Sequence, residues 1–150
     1  MISNGGSIEA GAKETGDGSR YAIILVVERD PHIRALERYF LEQAGYAVDF
    51  CDDGLAGLAK ARALRPAIVI TEILVPSLDG LGVCLALKGD PLTCHIPVLV
   101  FSVLAAEERA RAAGADVFLK KPLNERRLIE AVERLLSAHR RPPPEQDRTA

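Results

Sequence analysis

Strong charge of either sign is missing from this chain: 19 basic side chains against 21 acidic ones leave a net charge of −2. That balance gives no electrostatic footprint for nucleic acid or an anionic membrane surface. Also missing is any apolar run approaching the ~18–20 residues that span a bilayer. The N-terminal MISNGGSIEAGAKETGDGSR lacks the charged-then-apolar order of a signal peptide. Cysteine is scarce. Cys51, Cys84 and Cys94 are an odd number without a metal-type spacing, and they read as reduced thiols in a cytoplasmic protein. His32, His95 and His139 share no neighbourhood that suggests metal binding or phosphotransfer. No Gly-rich turn follows the first apolar run, where ERDPHIR stands, so a nucleotide would find no phosphate cradle there. There is no internal repeat.

What is present suits one folded domain. The chain has 150 residues, of which 48% are hydrophobic and 27% charged, enough for a single core. Residues 1–20 are rich in Gly, Ser and charge and read as a disordered N-terminal extension. Residues 139–150, HRRPPPEQDRTA, contain consecutive prolines that stop a helix, and read as a Pro-rich disordered tail. The folded part is then 21–138.

Within it, the runs AIILVV (22–27), AIVI (67–70) and PVLVF (97–101) are continuously apolar. Such strands are buried on both faces, as in a parallel sheet covered by helices. YAVDFC (46–51) and DVFL (116–119) are shorter strand candidates. Between them lie helical segments. The first has Asp30 as N-cap, Pro31 at its first position, a stripe of Ile33, Leu36, Phe40 and Ala44, and a stop at Gly45. Others are expected over 53–64, 81–88 and 105–113, and the last carries the stripe Leu128, Ile129, Val132, Leu135 and Leu136. Alternation of strand and helix predicts a doubly wound, five-stranded parallel α/β fold.

In such folds the reactive groups collect beyond the carboxyl ends of the strands. The first strand ends in Glu28-Arg29-Asp30, the third in Glu72, the fourth in Ser102 and the fifth in Lys120-Lys121-Pro122. Four strand ends therefore deliver ionisable or hydroxyl groups to one edge. Asp30 reads as a helix cap and Asp79-Gly80 as a turn.

The order VVERDP, ITEILVPSLDG, IPVLVFS and GADVFLKKPL resembles the receiver domain of two-component response regulators over about residues 21–138. The resemblance implies a flavodoxin-like (βα)5 sheet in the order 2-1-3-4-5. It also implies a module that takes a phosphoryl group from a histidine kinase onto an Asp ending the third strand. Acids after the first strand hold Mg²⁺, and a Lys before Pro and a Ser or Thr after the fourth strand contact the phosphoryl oxygens. That chemistry develops charge on the equatorial oxygens, which a divalent ion and a cationic Lys stabilise.

Carried onto this chain, Lys121 matches the lysine, with Pro122 after it. Ser102 matches the hydroxyl, Glu28 the first acid, and Phe118 the aromatic position whose rotamer reports activation. Two positions depart: Glu72 stands at the phosphoacceptor position and Arg29 where a metal-binding Asp is expected. Arg29 removes an oxygen ligand and adds a permanent positive charge. Beside a divalent ion at ~4 Å, that charge is disfavoured by roughly 8 kcal/mol at the effective dielectric used near protein surfaces. Glu72 moves the acceptor oxygen by about one bond length, a serious error for near-attack geometry.

The expectation is accordingly a pseudo-receiver without enzymatic activity or cofactor, its Mg²⁺ binding lost. Its pocket would be neutralised by a charge-assisted Arg29–Glu72 bond, with Lys121 completing the cluster. It would act by phosphorylation-independent contact with a signalling protein, a histidine kinase or another regulator, passing its effect through that partner. A homodimer through helix 4, strand 5 and helix 5 would suit the mixed charges of EERARA (107–112) and ERRLIEAVERL (125–135). The alternatives are an atypical but active receiver that accepts phosphate from a histidine kinase, and a small-molecule-binding module on the same fold.

Overall fold

The computed structural model describes residues 22–140, so the expectations for 1–20 and for 141–150 lie outside the described residues. The described chain alternates strictly: β1 Ile23–Val27, α1 Pro31–Gln43, β2 Ala47–Cys51, α2 Gly54–Leu64, β3 Ile68–Thr71, α3 Gly80–Lys88, β4 Val98–Ser102, α4 Glu107–Ala112, β5 Val117–Lys120 and α5 Glu125–Arg140. α5 thus continues into the segment read as tail, through residues 139 and 140.

The strands form one five-stranded sheet in the order β2-β1-β3-β4-β5, and every pairing is parallel. This is the flavodoxin-like order. The continuous apolar runs are explained by the alternation of side chains across the sheet. Leu25, Val27, Val69, Val98 and Val100 face one way, into a cluster with Leu58, Ala61, Val83, Leu87 and Ala110 of α2, α3 and α4. Ile24, Val26, Ile68, Ile70, Leu99 and Phe101 face the other, toward Leu41 of α1 and Leu128, Val132 and Leu135 of α5. Each fully buried Leu, Ile or Val contributes about 1.5–3 kcal/mol, so both helix layers are held by the same strands.

α1 differs from its expected stripe. Leu36 is 45% exposed and Ala44 lies outside the core, whereas Leu41 is fully buried and Glu37 is 1% exposed. The inward row is Ile33, Glu37, Leu41, spaced by four residues, and the acidic member of that row concealed it. The N-cap is as expected, with Asp30 accepting hydrogen bonds from the amides of His32 and Ile33.

Candidate functional site

The strand order reverses at β1, leaving a crevice beyond the carboxyl ends of β1 and β3. Sheet register decides which residues meet there. Val27 pairs with Thr71, so Glu28 and Glu72, each the next residue, emerge side by side; the Glu72 amide donates to the Val27 carbonyl at 3.0 Å. Ser102 pairs with Lys120, and the Lys121 amide donates to the Ser102 carbonyl at 2.8 Å. Residues from four distant parts of the chain therefore reach one point.

There the Lys121 ammonium lies 2.7 Å from Glu28 Oε1 and 3.0 Å from Glu72 Oε1, with its side chain only 9% exposed. Glu72 is saturated with donors. Its Oε2 accepts from the Ser102 hydroxyl and from the Leu74 amide at 3.0 Å. Its Oε1 accepts from the Val103 amide at 3.4 Å besides Lys121. The Ser102 hydroxyl oxygen also accepts from the Leu104 amide, so the turn after β4 is organised around this pair. Glu28 Oε2 accepts from the Asp30 amide at 3.1 Å. The Lys121–Pro122 peptide is cis, and Lys121 Nζ sits 5.3 Å from the centroid of the Phe101 ring.

Burial alone would push the Glu72 carboxyl up, but the hydrogen bonds from Ser102, Leu74 and Lys121, with the Lys121 charge, hold it below its ordinary value. Burial likewise disfavours the Lys121 ammonium, yet the bonds and charges of Glu28 and Glu72 raise it above an ordinary lysine. Both groups are charged partners of one buried cluster.

Arg29 is not among them. Glu28 is 2% exposed, while the next residue points to solvent. Among the described residues no ion pair forms to Arg29, and its carbonyl accepts from Arg34. The expected Arg29–Glu72 bond is therefore corrected to a Lys121–Glu72 bond. The reason is that Lys121 already meets both carboxylates, and burying a guanidinium beside it would cost more desolvation than it returned. Phe118 is partly buried against the α2–α4 side of the core. It lines a cavity of about 440 Å³ with Ala105, Glu107, Arg109, Lys120 and Arg127.

Reading the strand ends missed Glu37. It lies on α1 within electrostatic reach of Glu28, Lys121 and Glu72, and its Oε1 is buried without a hydrogen-bond partner. The signal that would have found it is the Ile33–Glu37–Leu41 spacing. The loop that carries Glu72 is fixed from the neighbouring element: Gly54 N donates to the Pro76 carbonyl at 3.0 Å and Ser77 Oγ to Asp53 Oδ2 at 2.6 Å.

This arrangement of strand-end acids, a hydroxyl and a lysine before a cis proline matches a family pattern. The response regulator receiver domain model matches residues 24–133. The chain belongs to that family. It is 35% identical over 116 residues to the DNA-binding dual master transcriptional regulator RpaA of Synechocystis, covering 75% of this chain and 48% of that one. It is 33% identical over 116 residues to the polar-differentiation response regulator DivK of Brucella anthropi, covering 75% of this chain and 94% of that one. The receiver thus spans about half the length of one such relative and nearly all of the other. Among solved structures, the signal receiver domain of a signal transduction histidine kinase from Syntrophus aciditrophicus superposes with a TM-score of 0.76 at 32% identity, covering 81% of this chain and 95% of that one. This receiver is accordingly a signalling module of two-component systems, a class that works with histidine kinases and other regulators. No helix among the described residues is long and apolar enough to cross a membrane.

Proposed function

We propose that this receiver works without phosphorylation, as a non-enzymatic interaction module whose pocket is closed by its own ion pairs. The observation that carries the reading is the state of Glu72: all four of its donors, Ser102, Leu74, Val103 and Lys121, are engaged by its own carboxylate. Ser102 and Lys121 are the groups that would otherwise receive phosphoryl oxygens. The longer side chain reaches them directly, with about one negative charge instead of nearly two.

The donor set does not fit Mg²⁺. Such an ion needs near-octahedral oxygen ligands, and here Glu28 and Glu72 are bridged by an ammonium while Asp30 caps α1. The neighbouring position offers the Arg29 guanidinium instead of a carboxylate. Among the described residues no group of His, Cys, Asp and Glu is arranged to hold a metal. With no phosphoryl group to read, the output is contact with a signalling protein, a histidine kinase or another regulator, in the cytoplasm. The surface of α4, β5 and α5 suits that partner or a second copy, because Glu107, Arg109, Lys120 and Arg127 place both signs of charge around the Phe118 cavity. A net charge of −2 gives the domain no reason to touch nucleic acid.

Titration of labelled protein with Mg²⁺, then Mg²⁺ plus beryllofluoride, followed by amide NMR, tests this. Unmoved resonances at Glu28, Glu72, Ser102 and Lys121 are expected. Saturable shifts that reach α4 and β5 would establish an active receiver instead.

A further inference from the structure

Glu37 has no part in the pocket's hydrogen bonding, yet it is buried within electrostatic reach of Glu28, Lys121 and Glu72. The side chain is 1% exposed, and Oε1 has no partner. Its helical neighbours one turn either way, Ile33 and Leu41, pack into the apolar cluster of Ile24, Val26, Phe101, Leu128 and Val132. A leucine there would complete the row. A buried acid with an unpartnered oxygen is strongly disfavoured by desolvation when charged and far less so when neutral.

The groups around Glu37 are known from each side. Glu28 stands at the end of β1, Glu72 at the end of β3 and Lys121 at the end of β5, and Arg34 lies one turn earlier on α1. The Arg34 guanidinium is committed to the Glu28 and Arg29 carbonyls at 2.9 and 3.3 Å. From α5 the members of the cluster are apolar: Leu128, Ala131, Val132 and Leu135. Tyr46, before β2, packs at the edge of the same cluster.

We propose that Glu37 is a proton-operated switch beneath the pocket. Protonated, it leaves Lys121 shared between Glu28 and Glu72. When its proton passes to water, a third carboxylate competes for that ammonium and Glu72 loosens from Ser102 and Lys121. Burial chiefly, then the Glu28 charge, raises the Glu37 carboxyl to about 8; Lys121 pulls it down, Glu72 adds a smaller upward push, and Arg34 a smaller pull still. The transition therefore falls in the mildly alkaline range. The turns after β3 and β4, which supply Leu74 and Val103 to Glu72, move with it.

The proposal rests on the pocket being closed by its own ion pairs, and the two fail separately. Beryllofluoride shifts at pH 6 overturn the closed pocket; the following titration overturns the switch. Glu37 carboxyl carbon and backbone amide shifts are followed from pH 5 to pH 10 in the parent, Glu37→Gln and Glu37→Leu proteins. All three carry Cys94→Ser so that the exposed thiol is absent. The parent is expected to show one transition near pH 8, shared by the Glu37 carboxyl and the amides of Leu74, Ser102 and Val103. Both variants are expected to lose it while keeping the parent's amide dispersion at pH 6. A parent without a transition in the range, or one that persists unchanged in either variant, overturns the switch.

Discussion

Lys121 is the residue on which the pocket depends most. It is the sole ammonium bonded to both Glu28 and Glu72 among the described residues. Lys121→Met should destabilise the domain by about 3–5 kcal/mol at neutral pH, because the loss leaves carboxylates buried without a counter-ion. Urea unfolding at pH 5 and pH 8 checks it. The deficit should shrink at the lower pH, where the freed carboxylates can take protons. Ser102→Ala is a milder test, expected to cost about 1.5–3 kcal/mol as a hydrogen bond to a charged group. Its sign with pH follows from Glu72. A carboxyl held below its ordinary value stabilises the fold above that value, and the stability is lost as pH falls through the folded value. Removing Ser102 raises the folded value, so acid unfolding should begin at a higher pH, read by circular dichroism. At this scale Lys121, Ser102, Glu28 and Glu72 were legible as strand-end residues, because register alone brings them together. The direction of Arg29 was not, since it depends on a lysine 92 positions later having already satisfied the same acceptors.

Elements hold these residues through close backbone approaches. Gly80 opens α3 directly behind the loop of Glu72: a Cβ there would lie 2.2 Å from the Glu72 carbonyl oxygen and 2.9 Å from Ile73 Cα. Backbone cannot yield as a side-chain tip does. Gly80→Ala should therefore cost about 1–3 kcal/mol as an overpacked contact, with amide shifts at Leu74 and Ser102 reporting the displaced carboxylate. A variant that shifts neither would show that the loop and α3 are independent. Asp79 caps the same helix, accepting from the Gly82 amide at 2.8 Å, and this is why Asp79-Gly80 was readable as a boundary. The strands were legible from continuous apolar runs, and both ends lie one residue later than expected at β3, β4 and β5. On α1 hydrophobic spacing selects Leu36 as the inward residue, whereas the fold buries Glu37. Periodicity finds the inward face only when that face is apolar, and here a buried acid interrupts it.

The whole molecule combines these charges into one dependence of stability on pH. At the acid end Glu72 acts with the lowered carboxyls of Asp30, Asp49 and Asp53, and stability rises with pH as its carboxyl ionises against Ser102, Leu74 and Lys121. Lys121 acts at the other extreme: raised above its ordinary 10.5, it contributes fully below that value and is lost only as pH climbs through the folded value. Glu37 acts between them with the opposite sign to Glu72. The unfolded chain gives up this proton near 4.5 and the folded chain near 8, so in that window the unfolded state binds fewer protons and stability falls as pH rises. Displacing a pKa from 4.5 to about 8 implies a penalty of about 3 kcal/mol by pH 7. The domain should therefore be most stable in mild acid, decline to about pH 8 and then level off. Glu37→Gln should flatten that decline, and Glu37→Leu should add an apolar contact at every pH, so that its gain over the parent is about 3 kcal/mol larger at pH 7 than at pH 4.5. Urea midpoints measured across pH 4–9 decide it: equal midpoints for parent and Glu37→Leu at pH 7 would mean that the buried acid carries no penalty and that α1 accommodates it by moving.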